Sequence, residues 1–426
     1  TTGAPAVAAE RAQSAQCIVA GGGPAGMMAG YLLARAGIDV TVLEKHADFL
    51  RDFRGDTIHP STMDALAELG LLEAFLRLPH QEVTYAEVDV DGERLRGADF
   101  RRLSTRCKFI AFIPQWDFLK FMAARAKAFP GFTLLMETEA VDLAHEGARV
   151  AGVKARSPAG ERELRADLVI AADGRHSTLR EAAGLKVEDL GAPMDVLWFK
   201  VPRGPEDPGA VLGRIKAGQA MVMLDRGDYW QCALIIRKGT ADAVKAQGLD
   251  AFRARVAEFV GPTAAQGVAS LGDVKLLTVR VDRLETWHKP GLLCIGDAAH
   301  AMSPVGGVGI NLAIQDAIAA ANILVEPLRA GAVSEDDLRR VQKRRTFPTW
   351  ATQRFQIAVQ NRLIDPVLKS TAPPKLPWLL RFLQRYLPFL QGIPARVIGV
   401  GFRPEHVDLG VIDAGKGSDP SPPPSV

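Results

Sequence analysis

Cysteine is scarce and scattered. The 426-residue chain has four, Cys17, Cys107, Cys232 and Cys294, and no C-x-x-C pair, which argues against both a zinc site and a disulfide framework. Cys17 and Cys294 sit in apolar runs, where a thiol acts as a small buried hydrophobe. Charge of one sign is lacking as well: a dispersed formal net charge of +3 leaves no footprint for nucleic acid. Residues 1–15 hold no apolar core of signal-peptide length, and no uninterrupted apolar run of about 20 residues predicts a membrane span. These absences together predict a cytoplasmic protein. No internal repeat is visible beyond the recurrence of strand-then-glycine segments.

What is present is a globular composition, 47% apolar and 24% charged, in a chain long enough for two or three domains. Gln16–Lys45 reads as a buried strand, a glycine turn, a helix over Pro24–Ala36 stopped by Gly37, and a second strand over Ile38–Leu43, the unit that opens a doubly wound sheet. A helical pattern follows over Ser61–Leu78, with Ser61 as its N-cap, and another over Trp116–Phe129. Alternating residues over 81–100 turn at Asp91-Gly92, a hairpin signal. The stretch from Met194 to Val281 is mostly strand-like, with one helix near Asp250–Phe259, and predicts a largely antiparallel domain inserted into the first.

Two glycine-rich loops lie nearly the whole chain apart. In "VAGGGPAG", Gly21, Gly23 and Gly26 form G-x-G-x-x-G between strand and helix: a tight turn, a close approach of backbone to pyrophosphate, and close helix packing over a helix N-terminus. Glu44, at the end of the second strand, is placed to accept hydrogen bonds from a ribose, and disfavours a 2′-phosphate there. The second loop is "GDAAHAMSPVGGVGIN", following a buried strand. Asp297 should emerge at that strand's carboxyl edge, Gly306, Gly307 and Gly309 remove side chains where a flat ring could touch backbone, and Asn311 begins a helix.

With "DGRHSTLR" between them, matching D-G-x-x-S-x-x-R at Asp173, Gly174, Ser177 and Arg180, the chain resembles the single-component FAD-dependent monooxygenases of the aromatic-hydroxylase type, related in fold to p-hydroxybenzoate hydroxylase. The resemblance spans about 16–330. It implies an α/β fold: a Rossmann-like doubly wound FAD-binding domain (16–80, 101–185 and 286–330), an inserted mainly antiparallel β-sheet substrate domain (81–100 and 186–285), a C-terminal helical region (331–407) and flexible tails (1–15 and 408–426). FAD contacts are expected from Gly21, Gly23, Ala25, Gly26, Glu44, Lys45, Arg54, Gln115, Asp173, Asp297, Gly307, Gly309, Ile310 and Asn311. Val308 stands where many members carry Gln, which changes the polarity beside the ring.

The implied activity is transfer of one oxygen atom from a flavin hydroperoxide to a hydrophobic, aromatic or polycyclic small molecule, with NADH or NADPH as reductant and O2 as co-substrate. The cofactor carries the chemistry, so neither a metal nor a nucleophile is expected. His59 and Asp56 are the polar candidates near the ring, while His300 is expected to pack behind the second loop. Met221, Met223, Trp230, Cys232 and Pro304 are candidate pocket walls, although strand alternation lets only one parity face a ligand. None of the six tryptophans forms the W-x-W-x-I-P element of flavin halogenases. The alternatives are a flavin-dependent reductase or dehydrogenase acting on an isoprenoid-like substrate and a non-enzymatic flavin-binding protein. From Leu328 to His406 there are 14 Lys and Arg against 5 Asp and Glu, a net +9, and "PWLLRFLQRYLPFLQ" is amphipathic. Packing on the protein itself, a peripheral membrane contact and a homodimer face are the readings of that region.

Overall fold

The computed structural model describes residues 14–50, 56–204, 213–372 and 378–414. Arg54 lies outside them. The chain folds around a sheet whose central strand, Ser14–Ala20, runs parallel to Gly160–Ala171 on one side and to Val40–Leu43 on the other. Phe132–Leu135 extends one flank in parallel and Leu292–Cys294 the other. These strands are nearly continuous apolar runs because both of their faces are buried. Helices Pro24–Arg35, Gln115–Ala126 and Gly309–Arg329 pack on one another over the sheet. In register, Ala20 pairs with Ala171 and Ala171 with Cys294, so three turns leave the sheet side by side at one carboxyl edge. The fold is α/β, as the sequence predicts.

A second, seven-stranded sheet holds Met194–Pro202, Gly213–Lys216, Gln219–Asp225, Tyr229–Arg237 and Lys275–Leu277, joined by the Tyr85–Val90 and Glu93–Asp99 hairpin. It is antiparallel except where Gly213–Lys216 runs parallel to Tyr85–Val90. The hairpin turns at Asp91 and Gly92, both with positive φ, the backbone that a two-residue turn between twisted strands demands. Helix Leu249–Val260 lays Phe252, Val256 and Phe259 on one face of this sheet.

Several local expectations need correction. The helical pattern from 61 to 78 divides into Pro60–Glu68 and Leu72–Leu76, broken at Gly70, whose φ is 74°. Its first helix is entered through His59 with Pro60 at the first turn, so Ser61 is no cap. Ser61 is buried, and its hydroxyl accepts from Gln315 Nε2 at 3.3 Å. The 305–329 segment is in fact apolar and long enough to cross a bilayer, but 78% of an apolar 18-residue stretch within it is buried inside the protein, as befits the core helix of the main sheet. The first strand starts at Ser14, inside the expected tail. At the other end Leu409–Ile412 is helical, Ile412 is fully buried and Arg35 grips Asp413 with two bonds of 2.9 and 2.8 Å, so the chain stays docked beyond 408. Trp378, Phe382, Tyr386, Phe389 and Ile393 form an exposed row, with Arg381 reaching Glu93 at 2.8 Å.

Behind the second glycine loop lies a buried charge cluster. Asp316, on the Gly309 helix, accepts from Gly296 N at 3.0 Å, His300 Nε2 at 2.6 Å and Arg345 Nε at 2.8 Å. Arg345 Nη1 continues to Glu405 at 3.1 Å. Burial alone would raise the Asp316 carboxyl, but His300 and Arg345 outweigh it and hold Asp316 below the ordinary carboxylate value. His300 thus packs behind the loop, as expected. Removing one member of such a cluster strands the others. Asp316→Ala is expected to cost about 3–5 kcal/mol in urea denaturation, whereas the double variant Asp316→Leu with Arg345→Met should recover much of that loss.

Candidate active site

The three turns at the common sheet edge carry the three sequence motifs. Gly21 has φ 111°, and a Cβ there would lie 2.3 Å from Ala172 O, so only glycine fits the turn. At Gly26 a Cβ would lie 1.9 Å from Gly21 O, which lets the Pro24 helix sit directly on the turn. Gly23 differs from both. Its φ of −74° suits any residue, and a Cβ would meet nothing within 4 Å. Nothing in the protein itself requires glycine at that position; the open space lies at the amino end of a 12-residue helix, where unpaired N–H groups favour an anion. This is the fit expected for a pyrophosphate.

Glu44 is buried beside the loop, accepting from Gly22 N at 3.2 Å and His46 N at 2.9 Å. Lys45 is exposed and lies 3.8 Å from Glu139. The first and second loops touch: a Cβ on Gly296 would be 3.1 Å from both Ala25 Cβ and Ala313 Cβ. Asp297 is partly exposed at the edge, 3.4 Å from Arg175. Asp173 caps the next turn through Leu179 N at 3.2 Å, while its Oδ1 is buried without a partner; burial raises this carboxyl above its ordinary value. Arg180 ties this motif to the second loop by donating to Ala298 O at 3.2 Å and Arg175 O at 2.6 Å.

The segment from Asp56 onward is stitched to the second loop. Thr57 Oγ1 donates to Gly307 O at 3.1 Å, and Asn311 Oδ1 accepts from His59 N at 2.9 Å and Thr62 Oγ1 at 2.7 Å. Gly309 and Ile310 are the first residues of the long helix, so their N–H groups have no partner within it. Asp56 is buried in an ion pair with Arg226, which also donates to Gln231 Oε1 at 3.0 Å; Gln115 N, at the start of its helix, donates to Asp56 at 3.2 Å. Burial raises the Asp56 carboxyl although Arg226 opposes it. Asp56 therefore ties the end of a second-sheet strand to the start of the Gln115 helix, an arrangement in which its charge is already engaged.

The expected pocket walls must be corrected. Met221, Met223, Trp230 and Cys232 all point to the helix side of the second sheet and form its core with Phe199 and Phe252. Burial pushes the Cys232 thiol up to about 12. The opposite parity faces the second glycine loop: Trp198, Val222, Ala233 and Ile235 pack with Val305, next to Pro304. Leu224, on the same parity, joins Phe100, Phe112 and Ile398.

Sequence reasoning also missed a row of glutamines. Gln353, Gln356 and Gln360 project from one face of helix Glu335–Val359 and its continuation, all essentially buried. Gln356 takes Ser303 N at 3.1 Å and gives to Ser303 O and Val305 O, both at 2.8 Å; Gln360 gives to Ser303 Oγ at 2.6 Å. Their spacing of three and four residues on a strongly charged helix was the available signal.

Residues 14–355 match the family described as FAD binding domain. The chain belongs to that family. A 6-methylpretetramide 4-monooxygenase of Streptomyces rimosus is 34% identical over 85% of this chain and 87% of its own length. The rifampicin monooxygenase of Streptomyces venezuelae is 30% identical over 70% of this chain and 62% of its own. Among solved structures, the anhydrotetracycline hydroxylase of S. rimosus shares the fold with a TM-score of 0.72 at 22% identity, over 91% of this chain and 76% of that one. Membership makes the protein an FAD-dependent oxidoreductase of the monooxygenase type.

The two glycines should part company on substitution. Gly26→Ala must displace backbone and is expected to destabilise the apoprotein by about 1–3 kcal/mol or more, while Gly23→Ala should leave its thermal midpoint in place. Differential scanning fluorimetry of the flavin-free proteins reads the contrast.

Proposed function

We propose that the protein uses NAD(P)H and O2 to hydroxylate or epoxidise a polycyclic aromatic small molecule. In a hydroxylation, a hydride and a proton supply the two reducing equivalents, one oxygen atom enters a substrate C–H bond and the other leaves as water. Bound FAD supplies the hydride-accepting and oxygen-activating chemistry. The chain's task is to hold that cofactor along its length, position the substrate and keep water out.

In this reading Gly23, Ala25 and the amino end of the Pro24 helix receive the pyrophosphate, with Gly21 and Gly26 shaping the turn. Glu44 receives the adenosine ribose, with Lys45 alongside, and Asp297 the ribitol, with Asp173 and Gln115 along the path. The N–H groups of Gly309 and Ile310 and the backbone around Gly307 and Asn311 face the ring, where a helix N-terminus stabilises the negative charge gained on reduction. Trp198, Val222, Ala233 and Ile235 then wall the substrate side opposite Pro304 and Val305. Such a wall contributes area and shape rather than charge, which suits a large ring system. Both relatives named above carry large ring-rich molecules in their names, which supports the same class.

The observation that carries this proposal is the vacant space at Gly23 on an edge shared by all three motifs. Gly23→Ala is expected to fold normally yet bind FAD at least about tenfold more weakly, a loss of about 1.4 kcal/mol. For the reaction, tetracyclic phenols should accelerate NAD(P)H oxidation by the yellow wild-type protein, with 18O2 delivering one labelled atom to the product. A product formed without oxygen in an anaerobic chamber would replace the oxygenase with the reductase alternative.

A further inference from the structure

The His59 side chain is buried beside the second glycine loop, with 0% exposure. Its Nδ1 lies 2.7 Å from Ile398 O. A carbonyl oxygen can only accept, so Nδ1 carries the proton and Nε2 presents a bare lone pair. Burial pushes the imidazole down to about 4, against the bond to Ile398, which keeps the ring neutral at working pH. Nε2 is buried and has no hydrogen-bond partner. It lies beside Gly307, where an added Cβ would lie 3.6 Å from it.

The direction of that lone pair is fixed from three sides. Ile398 holds the far ring nitrogen, Asn311 holds the His59 main-chain N–H, and Thr57 holds the Gly307 carbonyl. An acceptor left bare in a dry site is costly unless a donor arrives there. The cofactor reading above puts the flavin ring beside Gly307, and an oxidised isoalloxazine has one ring N–H donor, the imide.

We infer that His59 Nε2 is a cofactor-binding acceptor for the imide N–H of the isoalloxazine ring, and that Ile398 selects the tautomer that makes it one. The inference rests on the FAD reading and adds a residue and a tautomer to it. It also gives the C-terminal region a share in the flavin site. Ile398 belongs to helix Gly392–Gly399, which packs against the Glu93–Asp99 strand and the turn that follows it.

The test compares FAD with 3-methyl-FAD, which lacks the imide donor, on wild-type and His59→Leu apoprotein, with dissociation constants from fluorescence titration. Wild type should hold FAD roughly tenfold more tightly than 3-methyl-FAD. His59→Leu should bind FAD roughly tenfold more weakly than wild type, and discriminate far less between the two cofactors, while the apoprotein's thermal midpoint stays within a few degrees. His59→Gln, whose amide oxygen can accept, should recover part of the discrimination. Equal discrimination by wild type and His59→Leu overturns the inference, as does a wild type indifferent to the methyl group. If His59→Leu does not fold, a wild type indifferent to the methyl group still overturns the inference, and unchanged discrimination in His59→Gln does so as well. A wild type that binds neither compound would refute the FAD reading itself, a distinct outcome.

Discussion

The carboxylate of Asp316 is the constraint on which both loops depend. It is fully buried, and its two oxygens collect a main-chain N–H from the Gly296 turn, the imidazole of His300 and the guanidinium of Arg345. A lone carboxylate could not remain ionised there; the surrounding donors make it possible, and in return each is fixed by it. The turn that presents Asp297, the long core helix and the Glu335 helix are thereby locked into one arrangement. Glu405 closes the circuit through Arg344 and Arg345, so the stretch that follows helix Gly392–Gly399 is tied into the same cluster.

That lock acts through backbone. In the proposed reading the second loop presents bare amides and glycines to a flat ligand, so it cannot be held by side chains of its own. The holding side chains come from behind: Gln356 grips Ser303 and Val305 at their main-chain atoms, Gln360 grips the Ser303 hydroxyl, and Gln353 gives to Asp282 O and Ala301 O. Neutral amides suit this duty better than charges. Each can donate and accept along a strand-like segment without adding an ion to a dry interior. The segment between Ala301 and Val305 is consequently as well anchored as a central strand, although it has little regular structure.

What the sequence made legible, and what it hid, follows from the range of the forces involved. Gly21 and Gly26 serve contacts made within a few residues or with the adjacent strand, so their spacing already states their function, and the βαβ unit around them could be read directly. The face of the second sheet could not. In Gln219–Asp225 and Tyr229–Arg237 both parities are apolar, because one side meets helix Leu249–Val260 and the other meets the second loop. Alternation then carries no contrast between inside and outside, and methionine, tryptophan and cysteine look no less suited to a ligand than valine and alanine. The amphipathic helix was the missing clue: its Phe252, Val256 and Phe259 had to bury against one parity, leaving the other for the site. Asp316 and Arg345 were hidden for a different reason. Their partners lie far away in sequence, and a charged residue in a helical pattern ordinarily belongs on the solvent side.

Val308 belongs to the same account. Its side chain and the neutral His59 give no formal charge to the Gly307 end of the second loop. Asp56, a buried carboxylate three residues before His59, is engaged by Arg226. Stabilisation of negative charge at this end would then fall to dipoles, the oriented N–H groups that begin the Gly309 helix, rather than to a cation. Dipoles fixed in a helix need no reorganisation when charge develops, but they act only if the helix is held in place. Asp316, about two turns into that helix, supplies the anchor, and so the buried carboxylate and the amides at the helix start are two ends of one device.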